Sequence, residues 1–269
     1  MVRIGLVGCG FIGSRLADAI QHRFRGQARL IGLWDTDPAA ARRLSVRCRP
    51  PVPVADVAAL LKKADLVIEA ASPRAAAALL PKAISKKKSL LVMSSGGLLG
   101  RERLIRQARK RGICLIVPSG ALIGLDGVKA AAVGGLRSVT LTTRKPPRSF
   151  RGAPGLSARH RAALFRIQKP VLIFRGSARR AAAGFPQNIN VAAALALAGL
   201  GADRTFVRII ADPSVRSNIH EVTAAGAFGR FFVRTENRAA QENPRTSRLA
   251  VDSALSALDQ FLGNIRIGT

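Results

Sequence analysis

The chain has 269 residues, 48% hydrophobic and 22% charged, a balance that supports a sizeable buried core and excludes both a disordered chain and a fibrous repeat. Lys and Arg number 44 against 15 Asp and Glu, a formal charge of +29, which is more positive charge than recognition of a small anionic substrate requires. Cys9, Cys48 and Cys114 lack the spacing of a disulfide framework or a zinc site, so a reducing cytoplasm and no metal are expected. The longest apolar run, Val191 to Ala202, is shorter than the ~20 residues that span a bilayer. The opening MVRIGLVGCGFIG leads into a glycine cluster instead of a cleavage site, so neither a membrane anchor nor a secretory leader is expected.

In chain order, VRIGLV predicts a strand and FIGSRLADAIQHRF a helix; ARLIGLWD is a second strand and PAAARRL a short helix. After a basic stretch, ADLVIEAAS is a strand, RAAAALLPKAISKK a helix, SLLVMSS a strand, RERLIRQARKRG a helix and ICLIVPSG a strand. Such alternation predicts an α/β fold with a parallel, doubly wound sheet covered by helices on both faces. After Gly120 the texture changes. RSVTLTTRKPP predicts a strand of an antiparallel or mixed sheet, and RKPPRSFRGAPGLSARHRA a flexible loop. VLIFRGS is a strand, FPQNINVAAALALAGLG a loop and an alanine-rich helix, TFVRIIAD a strand, and NIHEVTAAGAFGRFFVRTEN two strands around a glycine turn. TSRLAVDSALSALDQFL closes as an amphipathic helix with Thr246 or Ser247 as its N-cap. The expected organisation is a first domain at 1–119, a second, mixed α/β domain for catalysis and dimerisation at 120–240, and a helix within 241–269 that packs back on the first.

Gly8-Cys9-Gly10-Phe11-Ile12-Gly13 follows a predicted strand, opens a helix and is followed at the end of the next strand by Asp35. That context makes the glycines a Rossmann-type dinucleotide fingerprint. Gly8 serves the tight turn, Gly10 the approach of a diphosphate, and Gly13 the packing of helix on strand, with the helix N-terminus facing the anion. Asp35 is placed to accept from two ribose hydroxyls and to repel a 2′-phosphate, which favours NAD, while Arg42 and Arg43 leave NADP use open. Glu69-Ala70-Ala71-Ser72-Pro73 ends another parallel strand. Its small residues Ala71 and Ser72 suit a cofactor lying against backbone, and Ser72 and Pro73 equally suit a helix start.

The segments GCGFIG, EAASP, VPSGALIGLDG, LTTRKPP, FPQNINVAAALALAG, IIADPSVRSNIHEV, GAFGRF and ENPRTSRLA occur in an order that resembles the L-aspartate dehydrogenases, over nearly the whole chain. The resemblance implies a homodimeric, NAD(P)-dependent enzyme that interconverts L-aspartate with oxaloacetate and ammonia through iminoaspartate by hydride transfer. It also implies cofactor contacts at Ala121 and Asn190 and a catalytic histidine at His220. Two departures stand out from that resemblance: Ser94-Ser95-Gly96-Gly97 where relatives have Ser-Val-Gly-Ala, and Arg180 where they tend to carry a glutamate.

The residues themselves point the same way, since histidine is the side chain that titrates near neutrality. His22 and His160 lie among arginines and read as surface, whereas His220 follows a polar DPSVRSN segment, with Asp212 and Glu221 near in sequence to orient it or raise its basicity. A structural histidine at a strand start is the competing reading. Asn188 reads as an N-cap or a substrate contact, and Asn190 as a partner of the nicotinamide carboxamide. Ser119 with the backbone near Gly120, together with Thr143, Arg144 or Lys145, are candidates for the substrate carboxylates. Two alternatives remain: a dehydrogenase of another small amino or oxo acid, and a basic nucleic-acid-binding protein on a Rossmann scaffold. For the latter, RERLIRQARKRG and KAISKKK would supply a non-specific polyanion footprint.

Overall fold

The computed structural model describes residues 1–269 except 187–188, 266 and 268–269, with the side chains of 244–245 also outside the description. The chain divides into two compact units, Met1–Pro118 joined by Val251–Arg266, and Ser119–Ala250 joined by Ile267–Thr269. The first contains β1 (Val2–Val7), α1 (Phe11–Gln21), β2 (Ala28–Trp34), α2 (Pro38–Arg47), α3 (Val57–Lys63), β3 (Leu66–Glu69), α4 (Pro73–Ser85), β4 (Ser89–Val92), a 3-10 turn at Ser95–Leu98, α5 (Glu102–Lys110) and β5 (Leu115–Ile116). Its strands run parallel in the order β2-β1-β3-β4-β5. Strands buried on both faces need no alternation, and all four residues of β3 are buried. Leu6, Leu16, Ile20, Phe24 and Leu33 form the core, joined by Ala254 and Leu258, four residues apart on one helix.

The second unit holds α6 (Leu125–Val133), β6 (Leu136–Lys145), a 3-10 turn at Pro147–Phe150, α7 (Ala158–Leu164), β7 (Val171–Ser177), α8 (Ala178–Gly184), α9 (Ile189–Ala198), α10 (Gly201–Arg204), β8 (Thr205–Ala211), β9 (Ile219–Gly226), β10 (Gly229–Glu236) and a small ladder of β11 (Ala239–Ala240) with β12 (Asn243–Ser247). Helix α11 (Arg248–Leu262) follows. The main sheet is mixed, ordered β10-β9-β6-β8-β7, with β6 parallel to β8 and the other pairs antiparallel. Helices α6, α8 and α9 pack on β6 and β8. On the other face Phe206, Leu172 and Phe232 are 36%, 44% and 56% exposed.

The structure adds three elements to those read from the sequence and overturns one expectation. The basic stretch before β3 contains α3, capped by Asp56, whose carboxylate accepts from the Ala59 N–H at 2.6 Å. Only seven residues long, α3 offers too little periodicity to stand out from its lysines. The supposed flexible loop is packed: Phe150, Leu156 and Leu164 are buried, Phe150 meets Phe185 edge to face at 6.4 Å, and Ser157 caps α7. Helix α8 and the β11/β12 ladder have no clear sequence signal, the first because its arginine-alanine sequence has no apolar stripe, the second because its strands are two and five residues long. Ser247 ends β12, and its hydroxyl donates to the Asn237 Oδ1 at 2.6 Å.

Candidate active site

The turn after β1 is built by its glycines. Gly8 sits at φ +102°, a left-handed conformation, and a Cβ there would lie 2.5 Å from the Ala70 carbonyl. A Cβ on Gly13 would lie 1.9 Å from the Gly8 oxygen, so α1 approaches β1 this closely only with glycine at that position. Gly10 is different: it caps α1 at an ordinary φ of −73°, and its Cβ position has no atom within 4 Å. No side chain caps α1 among the described residues, which leaves the amides of its first turn, beginning at Phe11 and Ile12, for an anion. Asp35 ends β2 beside this loop. Its carboxylate accepts from the Cys9 N–H at 2.6 Å and the Asp37 N–H at 2.9 Å, with lone pairs left for further donors. Burial, helped by Asp35, raises the Cys9 thiol to about 12, so it stays protonated. Arg43 pairs with Asp37 at 3.5 Å.

Glu69, quoted in the sequence only as part of its motif, organises the adjacent strand ends. Its carboxylate is fully buried and accepts from the N–H groups of Ala71, Ser72 and Ser94 at 2.8, 2.9 and 3.0 Å and from the Ser94 hydroxyl at 3.0 Å. Burial pushes it above its usual range, and these four bonds pull the other way. The motif carries no sign of this because three of the four donors are backbone amides and the fourth, the Ser94 hydroxyl, lies 25 residues away. The Ser72 hydroxyl accepts from the Ala75 N–H at 3.2 Å and caps α4. Gly97 faces the Pro73 carbonyl, where a Cβ would lie 2.1 Å away, so an alanine here would need the turn to shift.

In the second unit, β6 and β9 place Thr143 directly opposite His220. Alternation along β6 puts Lys145 on the same face as Thr143. His220 is 3% exposed, Thr143 2% and Lys145 9%. His220 Nδ1 lies 3.0 Å from the Thr143 Oγ1. Burial, with Lys145 adding to it, lowers His220 to about 3, and burial lowers Lys145 to about 8. This corrects the expectation that Asp212 and Glu221 orient the imidazole or raise its basicity. Glu221 is the next residue on β9 and points to the other face, toward Arg234 at 2.9 Å and Arg144 at 3.9 Å. Asp212 accepts from Ser214 at 2.6 Å and pairs with Arg144 at 3.6 Å. Thr143 is the side chain that meets the imidazole, and burial favours the neutral ring.

Ser119 and Gly120 form a tight turn with Gly120 at φ +66°, closed by the Leu122 N–H to the Ser119 carbonyl at 3.3 Å. Ala121 is buried, and its carbonyl accepts from Asn237 at 3.2 Å. Asn190 is exposed near the start of α9; Asn188 lies outside the described residues. His22 is exposed at the end of α1, and His160 is exposed on α7. Thus the first unit gathers the glycine loop, Asp35, Ala71 and Ser72 at the C-terminal ends of its strands, and the second gathers Thr143, Lys145 and His220 on one sheet face.

Residues 126–261 match the family model described as aspartate dehydrogenase, C-terminal, and residues 8–118 match that of the homoserine dehydrogenase NAD binding domain. The chain belongs to the aspartate dehydrogenase family. It is 42% identical to an L-aspartate dehydrogenase of Methanosarcina mazei, with all of both chains covered. With that of Bradyrhizobium diazoefficiens it shares 37%, covering all of this chain and 94% of the relative. A crystal structure of aspartate dehydrogenase from Thermotoga maritima superposes with a TM-score of 0.75 at 26% identity, covering both chains fully. The chain is a dehydrogenase with an NAD-binding first unit.

Proposed function

We propose that this chain interconverts L-aspartate with oxaloacetate and ammonia through iminoaspartate. The observation that carries the reading is the full-length similarity to enzymes named L-aspartate dehydrogenase. The loop geometry fits the cofactor: open space over Gly10, uncapped first-turn amides of α1 and a carboxylate at the end of β2. Gly8, Gly10, Phe11, Ile12 and Gly13 would hold its diphosphate, Asp35 its adenosine ribose, and Ala71, Ser72, Ala121 and Asn190 its nicotinamide half. The chemistry that bound NAD(P) would supply there is hydride exchange with the substrate α-carbon.

The protein's own residues manage protons and charge. A neutral imidazole that gives its Nδ1–H to the Thr143 oxygen keeps an Nε2 lone pair as base. That base accepts a proton from water as it adds to the imine carbon and returns one to the departing nitrogen. Lys145, cationic below about 8, supplies the counter-charge for a substrate carboxylate. A bound dicarboxylate offsets Lys145 and makes the imidazole easier to protonate when the reaction requires it. The Ser119 hydroxyl and the Gly120 N–H are the remaining donors in this reading, and Asn188 stands beside them from the sequence alone. NAD is preferred over NADP because the Asp35 carboxylate repels a 2′-phosphate.

We further read the enzyme as a homodimer formed through the open sheet face and as cytoplasmic, in keeping with three free thiols. A non-specific affinity for polyanions follows from the net charge. The deciding assay follows NADH consumption with oxaloacetate and ammonia against other oxo acids and against NADPH. Turnover confined to oxaloacetate with NADH preferred is expected; faster turnover of another oxo acid would replace the substrate assignment.

A further inference from the structure

A parallel sheet has two chemically different edges. The glycine loop and Asp35 follow the C-terminal ends of β1 and β2, whereas the crossover helices return to the opposite edge before each next strand begins. Helix α3 ends at Lys63 and β3 starts at Leu66; α4 ends at Ser85 and β4 starts at Ser89; α5 ends at Lys110 and β5 starts at Leu115. Because β3, β4 and β5 are neighbours in the sheet, their approaches bring Lys62, Lys63, Lys86, Lys87, Lys88 and Lys110 onto one edge. Strands ~4.8 Å apart make this row ~10 Å wide.

The row is not neutralised. Arg3, Arg23 and Arg43 of this unit form ion pairs, and among the described residues none of the six lysines joins one. Asp65 at this edge is held by Arg3 at 2.6 Å. The Arg3 hydrogen bond, with Lys88 contributing, lowers Asp65 to about 2. A cleft of about 610 Å³ lies here, lined by Lys62, Lys86, Lys88, Ala58 and Leu61, with Asp56 occupied as the cap of α3.

We propose that this lysine-lined edge of the first unit docks a nucleic-acid duplex through its phosphate backbone. A duplex carries one negative charge per ~1.7 Å of axis, so the ~10 Å row meets about six charges, as many as the lysines named. The exposed large apolar side chains of this unit are Met1, Val46, Val54 and Ile265. None is aromatic, so single strands find no stacking platform and a bilayer finds no aromatic anchor. Backbone contacts carry no sequence information, so the docking is sequence-independent. The cofactor loop lies at the other edge of the same sheet, and the enzyme keeps its NAD site open while docked.

The experiment measures anisotropy of a short labelled duplex against salt for the full-length parent, for K62Q/K86Q/K88Q, and for the control K129Q/R166Q/K169Q, whose residues are exposed on the second unit. Each phosphate contact contributes ~0.9 to the slope of log affinity against log salt, so the first variant should lose ~2.7 from that slope and the control should keep the parental value. Equal losses in the two variants would overturn the site, as would an unchanged slope in the first. Tighter binding to phosphatidylserine vesicles than to the duplex would overturn the choice of partner. Parental NADH turnover and thermal midpoint in K62Q/K86Q/K88Q are expected, which separates this proposal from the dehydrogenase reading; loss of turnover would overturn the separation of the two sites.

Discussion

At the scale of single residues, the proposed chemistry gives three buried side chains different duties. His220→Ala should lower kcat by ~10²- to 10⁴-fold, the usual contribution of a positioned acid or base, with NADH affinity unchanged in a direct titration. Equal loss from His22→Ala or His160→Ala would move the role elsewhere. Thr143→Val should give a smaller loss that Thr143→Ser recovers, because only the hydroxyl meets Nδ1 at 3.0 Å. The pH profile separates the other two groups. The free enzyme's kcat/KM should show no acid limb near 6.5, since His220 is held at about 3, and should fall above about 8 as Lys145 loses its proton. Lys145→Arg should abolish the alkaline limb. Stability runs against function here. Lys145 titrates at about 8 when folded and at 10.5 ordinarily, so stability present above 10.5 is lost as pH falls through 8, and the cost is complete at neutral pH. Lys145→Met should therefore raise stability by up to ~3 kcal/mol at pH 7 while lowering the affinity for oxaloacetate; a fall in the denaturation midpoint would contradict the uncompensated burial of Lys145.

At the scale of elements, the glycine loop distinguishes structural from ligand-directed glycines. Gly13→Ala drives a methyl to 1.9 Å from the Gly8 oxygen and should cost ~1–3 kcal/mol as overpacking does, with cofactor affinity falling in consequence. Gly10→Ala meets nothing within 4 Å and should leave the melting curve parental while weakening NADH binding. Equal destabilisation by both would remove the ligand from the explanation of Gly10. The same contrast shows what was legible beforehand. Strand, glycine turn, helix and Asp35 are local in sequence, and so is the alternation in β6 that puts Thr143 and Lys145 on one face. His220 opposite Thr143 is a pairing across 77 residues, which no local pattern encodes, so the sequence points instead to the near neighbours Asp212 and Glu221. Alternation itself sends Glu221 to the other face. The packing of Phe150 against Phe185 was hidden in the same way by the prolines, glycines and arginines around it.

At the scale of the whole molecule, charge and apolar surface make opposite demands. The face of the second sheet that exposes Phe206 and Phe232 carries a row in which Phe232, Thr223, Thr140 and Phe206 are successive partners, followed by a row with the Arg234–Glu221 pair. A row of apolar ends beside paired charges of both signs is self-complementary, as a two-fold interface must be. Yet two copies each bearing +29 repel one another. The dimer should therefore tighten as salt screens that repulsion, the Debye length being ~10 Å at 0.1 M, while duplex docking weakens over the same range. Light scattering across a salt series tests this, with Phe232→Glu as the variant. Phe232 is 56% exposed, so a glutamate folds without penalty in the free chain but is buried unpaired between two copies. The parent should shift from monomer toward dimer with rising salt and the variant should remain monomeric. A dimer that persists in Phe232→Glu, or one that dissociates as salt rises, would place the contact on a different and more polar surface.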